Sequence, residues 1–323
     1  MAQIIRTHEA SKFTSEGDSY YKREKYSDAL KAYKQAIKID PDNAEAHCGL
    51  GLAYSKLGRY TEAIEACKQA IRISPDDWQA HYNLGNSCCH LRQYTDAIEA
   101  YRQAIRIKPD FVNAHVKLGA TYGNLEKYTK AIEAFKQAIN IDPDDAKAYY
   151  MLGAIYGNLE KYTKAIEAFK QAISIDPDDA KAYYLLGALY RVLEQYTNAI
   201  EAFKQALRIN PDDTFALLDL GVSYYDLGQY RDAVEAYKQA IQIDSDLAGV
   251  HYNLGNSYIA LGQYSAAIEA YKQAIRIKPD FANAHYKLGL AHNAIGNKGA
   301  ALEEYRILER LDKEKANELL GLI

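Results

Sequence analysis

Residues 146–179 read AKAYYMLGAIYGNLEKYTKAIEAFKQAISIDPDD. In the first half, Tyr149, Leu152, Gly153 and Tyr156 fall at i, i+3, i+4 and i+7, which is one face of an α-helix. In the second half, Ala165, Ile166, Phe169, Ala172 and Ile173 share a face in the same way. Pro177 lacks an amide hydrogen and restricts the residue before it, so the second helix ends there. The stretch therefore predicts two short helices with a break between them and a break after them.

The same unit recurs on both sides. All seven prolines (Pro41, Pro75, Pro109, Pro143, Pro177, Pro211 and Pro279) lie on one 34-residue ruler, with Ser245 filling the gap. Frames laid from Ala10 give nine repeats: 10–43, 44–77, 78–111, 112–145, 146–179, 180–213, 214–247, 248–281 and 282–315. Residues 1–9 form an N-terminal extension and 316–323 a C-terminal capping segment. Position eight of every frame is glycine, from Gly17 to Gly289, and position twenty is alanine, from Ala29 to Ala301. Position twenty-four is aromatic except at Cys67. A glycine inside a helix costs about 1 kcal/mol against alanine, so nine in register answer a packing need. Aspartates at position thirty-three, such as Asp42 and Asp178, are expected to cap the next first helix, and Ser27, Thr61 or Thr163 at position eighteen the second.

This pattern resembles the tetratricopeptide-repeat family. Repeat five matches its motif at Tyr149, Leu152, Gly153, Tyr156, Ala165, Phe169, Ala172 and Pro177. The resemblance implies an all-α fold, a right-handed superhelical solenoid of nine helix-turn-helix units. The repeat region of O-linked N-acetylglucosamine transferase is partially similar, through Asn83 and Asn253 at position six. The C-terminal-carboxylate clamp of chaperone-binding members needs lysine at position five, which no repeat here has.

The motif positions are explained by packing, so function has to come from positions the fold leaves free. In the family, positions two, five, six, nine, twelve and thirteen of the first helices line a concave groove. Carried over, they nominate Tyr82, Asn83 and Asn86 in repeat three, then Lys117, Asn124, Lys147, Tyr150, Asn158, Lys181, Tyr184 and Arg191 in repeats four to six. Asp219, Asp226, Tyr252, Asn253 and Asn256 follow in repeats seven and eight. The middle zone is apolar with a basic fringe and the next is acidic, which suits a peptide with apolar side chains and an acidic end. Tyrosine offers contact area at modest entropic cost, and asparagine hydrogen-bonds a peptide backbone. Tyrosine at position five is also ordinary filler in such repeats.

Charge and composition narrow the function classes. The net charge of −4 argues against a general nucleic-acid binder, which needs a basic face. No apolar run approaches the roughly 18 residues of a membrane span, and the N-terminus lacks a secretory apolar core. With four clustered cysteines (Cys48, Cys67, Cys88 and Cys89), a cytoplasmic, reduced protein is expected. Cys88-Cys89-His90 reads as buried apolar filler in preference to a metal site, and no cofactor, nucleophile–base pair or phosphate loop is visible. His47, His81, His115, His251 and His285 at position four suggest a pH-sensitive packing role. The expectation is a non-enzymatic adaptor that binds a protein or peptide in its groove. The alternatives are a scaffold that self-associates through terminal repeats, or a substrate-recruiting arm of a larger enzyme.

Overall fold

The computed structural model describes residues 2–323, with side chains from Arg6 onward, and among these residues every regular element is an α-helix. Two compact units are distinguished, Met1–Ile175 and Asp176–Ile323. In unit 1 the first helices of the repeats are α1 (Ala2–Lys22), α3 (Ala44–Lys56), α5 (Trp78–His90), α7 (Val112–Asn124) and α9 (Ala146–Asn158). Their partners are α2 (Tyr26–Ile39), α4 (Tyr60–Ile73), α6 (Tyr94–Ile107), α8 (Tyr128–Ile141) and α10 (Tyr162–Ile175). In unit 2, α11 (Ala180–Val192), α13 (Thr214–Asp226), α15 (Ala248–Ala260) and α17 (Ala282–Ala294) pair with α12 (Tyr196–Ile209), α14 (Tyr230–Ile243), α16 (Tyr264–Ile277) and α18 (Lys298–Leu311). A last helix, α19 (Lys313–Leu320), packs on α17 and α18. These are consecutive helix-turn-helix pairs of the solenoid class. The residues before Ala10, expected as an extension, continue α1 without a break.

The invariant glycines of repeats one and three to eight meet the ring of position twenty-four, and Gly51 meets Cys67 there. A Cβ built on Gly85 would stand 2.6 Å from Tyr101 Cε1, and one on Gly119 would stand 2.8 Å from Phe135 Cε1. Those rings are fully buried, as are the alanines at position twenty. Glycine is thus the residue that admits an aromatic from the second helix onto the first helix's backbone. At the last repeat the occupant differs: Gly289 faces Leu319 of α19.

The capping expectations need two corrections. The first helices are capped from position thirty-four, one residue later than expected. Asn43, Asp77, Asp145, Asp179 and Asp213 accept from amides of the first turn, whereas Phe111, Leu247 and Phe281 occupy that place with no side-chain bond. The second helices begin at the position-seventeen tyrosine, so Thr61 and Thr95 lie inside the first turn and Arg59 and Gln93 stand at the N-cap without a cap bond. The reason is the tight turn before them. Gly58 N–H donates to Ser55 O and Arg59 N–H to Tyr54 O, the pair of bonds of a Schellman close. That close demands a left-handed residue, supplied by Gly58, Gly228, Gly262 and Gly296, but also by Glu24, Arg92, Glu126, Glu160 and Glu194 with φ of 56–59°.

The position-four histidines tie five of the repeats to the turn before them. Nε2 of His47, His81, His115, His251 and His285 lies 2.9–3.0 Å from the carbonyl of Pro41, Pro75, Pro109, Ser245 and Pro279 respectively. An aromatic hydrocarbon at that position has no such bond to offer.

Candidate peptide-binding groove

In unit 1, helices α5 and α7 place Tyr82, Asn83, Asn86, Lys117 and Asn124 around one open cleft of about 710 Å³. The same cleft takes Tyr21, Leu52, Lys56 and Tyr60, which the sequence reading did not nominate. Tyr21, Leu52 and Lys56 stand at positions twelve, nine and thirteen of repeats one and two, so extending the same positional rule to the N-terminal repeats finds them. Tyr60 comes from a second helix and is not reachable by that rule. Its ring stacks on His90, with centroids 4.4 Å apart and planes 7° from parallel.

The polar groups of the cleft are unevenly committed. Asn83 Nδ2 lies 3.6 Å from Cys48 Sγ, and Asn86 Oδ1 accepts from Tyr101 O–H at 2.8 Å. Lys117 is half-buried, and burial, then the like charge of Lys147, holds its ammonium below the usual lysine range. Among the described residues, no carboxylate lines this cleft; its charged side chains are Lys56 and Lys117. Tyr82 packs edge-on against Phe111, with centroids 4.9 Å apart, and tilts against Tyr101, so part of its surface is structural. Tyr150 similarly stands edge-on to Phe169, while Lys147 and Asn158 are exposed.

A structural rule emerges at position nine. Where position twenty-four is tyrosine, its hydroxyl donates to Asp18, Asn86 or Asn256 at position nine, at 2.7–2.8 Å. Where position twenty-four is phenylalanine (Phe135, Phe169 and Phe203), position nine is alanine: Ala120, Ala154 and Ala188. Asn86 and Asn256, nominated as ligand-binding groups, thus each commit Oδ1 to a buried hydroxyl and keep Nδ2 for other uses. Repeats seven and nine depart from the rule: Val222 stands against Tyr237, and Tyr305, with Leu290 at position nine, donates to Glu309 instead.

In unit 2 the nominated residues engage one another. Arg191 Nη2 lies 3.2 Å from Asp219 Oδ1, and Tyr184 O–H donates to Asp219 Oδ2 at 3.0 Å. Burial, then the charge and hydrogen bond of Asp219, pushes the Tyr184 phenol up to about 12. The basic fringe and acidic neighbour expected as separate features are therefore one internal ion pair at this point. Burial raises the Asp226 carboxyl, with Arg191 opposing. Tyr252 tilts on Tyr271 and Phe281, Asn253 O accepts from Ser257 Oγ, and Lys181 is exposed.

The cysteines are free thiols. Burial is the first cause that pushes Cys48 up to about 12 and Cys88 up to about 11, which keeps both protonated and poorly nucleophilic at neutral pH. Among the described residues, no group of three His, Cys, Asp or Glu is placed to hold a metal ion, and no helix is long and apolar enough to cross a membrane.

A family model described as the cilia and flagella-associated protein 70 C-terminal domain matches residues 74–277, and tetratricopeptide-repeat models match 17–58, 44–77 and 252–316. The chain belongs to the tetratricopeptide-repeat family, and residues 74–277 to the branch that the first of these models describes. No curated protein matches the chain. Among solved structures it is similar to YrrB, described as a TPR protein with an unusual peptide-binding site, at 25% identity and TM-score 0.54 over 58% of this chain and 96% of that one. It is also similar to MamA (31% identity, TM-score 0.48, 51% and 96% covered) and to a tetratricopeptide repeat protein from Parabacteroides merdae (19%, 0.52, 76% and 98%).

Proposed function

We propose that this protein is an interaction adaptor that binds an extended segment of a partner protein in the groove formed by the first helices of its repeats. The observation that carries this reading is the unit 1 cleft, where side chains from four successive first helices converge with amide, ammonium and aromatic groups. Such surfaces recognise a peptide backbone through amides and its side chains through aromatic walls. The peptide-binding description of YrrB supports the same reading. The role is that of an interaction module, with no step of catalysis assigned to it. The 34-residue frames from 10 to 315 serve as its units, and residues 316–323 as part of its cap.

The test is site-specific photocrosslinking. A benzophenone amino acid at Ser55 or Asn124, on the cleft, is compared with one at Lys68 or Gln103, which line a different hollow beside Ile64 and Cys88. Partner crosslinks from the cleft positions are expected. Crosslinks confined to Lys68 and Gln103 would overturn the assignment.

A further inference from the structure

The cleft does not stop at Lys56 and Lys117. It shares Tyr21, Leu52 and Asn83 with a second hollow of about 490 Å³ formed by repeats one to three. The charge inventory reverses between the two. The first holds Lys56 and Lys117 with no carboxylate. The second holds Asp18, Glu45 and Asp77 against the single Lys22. Asp18 accepts the Tyr33 hydroxyl and Asp77 caps α5, so both side chains are held in place, and Glu45 is exposed. Among the described residues, no Asp or Glu of this cleft stands beside the half-buried Lys117, and its ammonium is disfavoured by burial and by Lys147. An arriving carboxylate relieves that penalty.

We propose that the joined cleft of unit 1 takes an extended partner segment of segregated charge, acidic where it passes Lys56 and Lys117 and basic where it passes Asp18, Glu45 and Asp77. This rests on the groove reading above and adds the chemistry and polarity of the ligand. The carboxylates are side chains within the segment. Lys56 and Lys117 stand on α3 and α7 with α5 between them, so a lone terminal carboxylate meets only one of them. Complementary potential of this kind fixes the direction in which a segment lies and penalises the reverse.

The test uses the full chain and fluorescein-labelled twelve-residue peptides, blocked at both ends. Three peptides of identical composition carry glutamates then lysines, lysines then glutamates, or the two alternating, with leucine and tyrosine spacers. One segregated order is expected to bind at least tenfold more tightly than the alternating isomer by fluorescence anisotropy, with the margin shrinking as salt is raised. The Lys56→Glu/Lys117→Glu variant, with an unchanged melt, is expected to lose the margin. Equal affinities for the three peptides, a margin that survives the charge reversal, or no binding by any of them each overturns the inference. Cleft crosslinks to a partner stand or fall separately, so the loss of segregated-charge recognition is distinguishable from the loss of the groove itself.

Discussion

Glycine at position eight and the ring at position twenty-four form one packing decision, and the two kinds of glycine in these helices separate it from helix propensity. Gly85→Ala puts a methyl 2.6 Å from Tyr101 Cε1, whereas Gly157→Ala, also helical, meets nothing within 4 Å. Overpacking costs about 1–3 kcal/mol and the propensity gain is about 1 kcal/mol. Gly85→Ala is therefore expected to lower the denaturation midpoint and Gly157→Ala to raise it. The opposite order in guanidinium unfolding rules out the ring contact as the reason for the glycine. The Tyr101–Asn86 bond makes a second residue-scale prediction. Tyr101→Phe alone leaves Asn86 Oδ1 without its donor and is expected to cost about 1 kcal/mol. Adding Asn86→Ala recreates the Phe135–Ala120 pairing of the next repeat and is expected to recover most of that loss. A double-mutant cycle that shows strict additivity refutes the coupling. The covariation of positions nine and twenty-four is present in the sequence, but its meaning needs the hydroxyl's direction. That is why Asn86 and Asn256 read there as ligand groups alone.

Helix pairs were legible because the 3.6-residue periodicity of Leu152, Gly153 and Tyr156 leaves no other face to bury. Their ends were less so, since capping depends on backbone angles. Asp178 and Asp179 are the same residue type one place apart, and it is Asp179 whose carboxylate accepts the Lys181 and Ala182 amides. The links between helices hold a pH-sensitive element that spacing alone did not single out among the five histidines. His285 Nδ1 lies 2.6 Å from Glu304 Oε2 on α18, while its Nε2 faces Pro279 O at 2.9 Å. Two acceptors call for two N–H donors, hence the imidazolium. Burial opposes this, but the Glu304 hydrogen bond, the Pro279 carbonyl and the Glu304 charge outweigh it, so the His285 pKa is raised. A raised folded-state value means that the stabilisation is fully present below the unfolded pKa of about 6.5 and is lost as pH rises through the folded value. His292, lowered by burial and then by Lys272, acts in the opposite sense, so the raw melting curve mixes the two. The gap in melting temperature between the wild type and Glu304→Gln reports chiefly on His285, which Glu304 hydrogen-bonds, whereas Glu304 reaches His292 only through its charge. It is expected to be widest near pH 6 and to narrow towards pH 9, and a gap that widens with pH contradicts the imidazolium assignment.

At the scale of the whole molecule, a repeat chain's stability is a sum of interfaces, and its ends are where that sum goes unpaired. The groove was legible as a set of positions, and the structure brings Tyr82, Asn83, Asn86, Lys117 and Asn124 together in one cleft. The pairing of Arg191 and Tyr184 with Asp219 was not legible, because it joins residues in successive repeats and depends on which way each side chain leans. The C-terminal end was half legible: the apolar spacing of Leu319, Leu320 and Leu322 reads first as a cap, with a sticky tail as the alternative. The structure divides them. Leu319 is fully buried with Leu308 and Ala316, whereas Leu320 and Leu322 are exposed. Leu319 occupies the space over Gly289 that the position-twenty-four side chain of the second helix fills in the other repeats, and Tyr305 at that position bonds Glu309 instead. Asn293 Nδ2 and Lys298 Nζ donate to the carbonyls of Leu322 and Ile323, which hold the segment down on α17 and the start of α18. Leu319→Ala is therefore expected to cost about 2–5 kcal/mol, as a buried leucine truncation does. Leu320→Ala, on the exposed side of the same helix, is expected to change stability by less than about 0.5 kcal/mol. If α19 is a cap, the Leu319 variant melts early and Leu320→Ala leaves the mass in multi-angle light scattering unchanged. If it is an association surface, Leu320→Ala shifts the mass while both variants melt with the wild type, and the cap assignment fails.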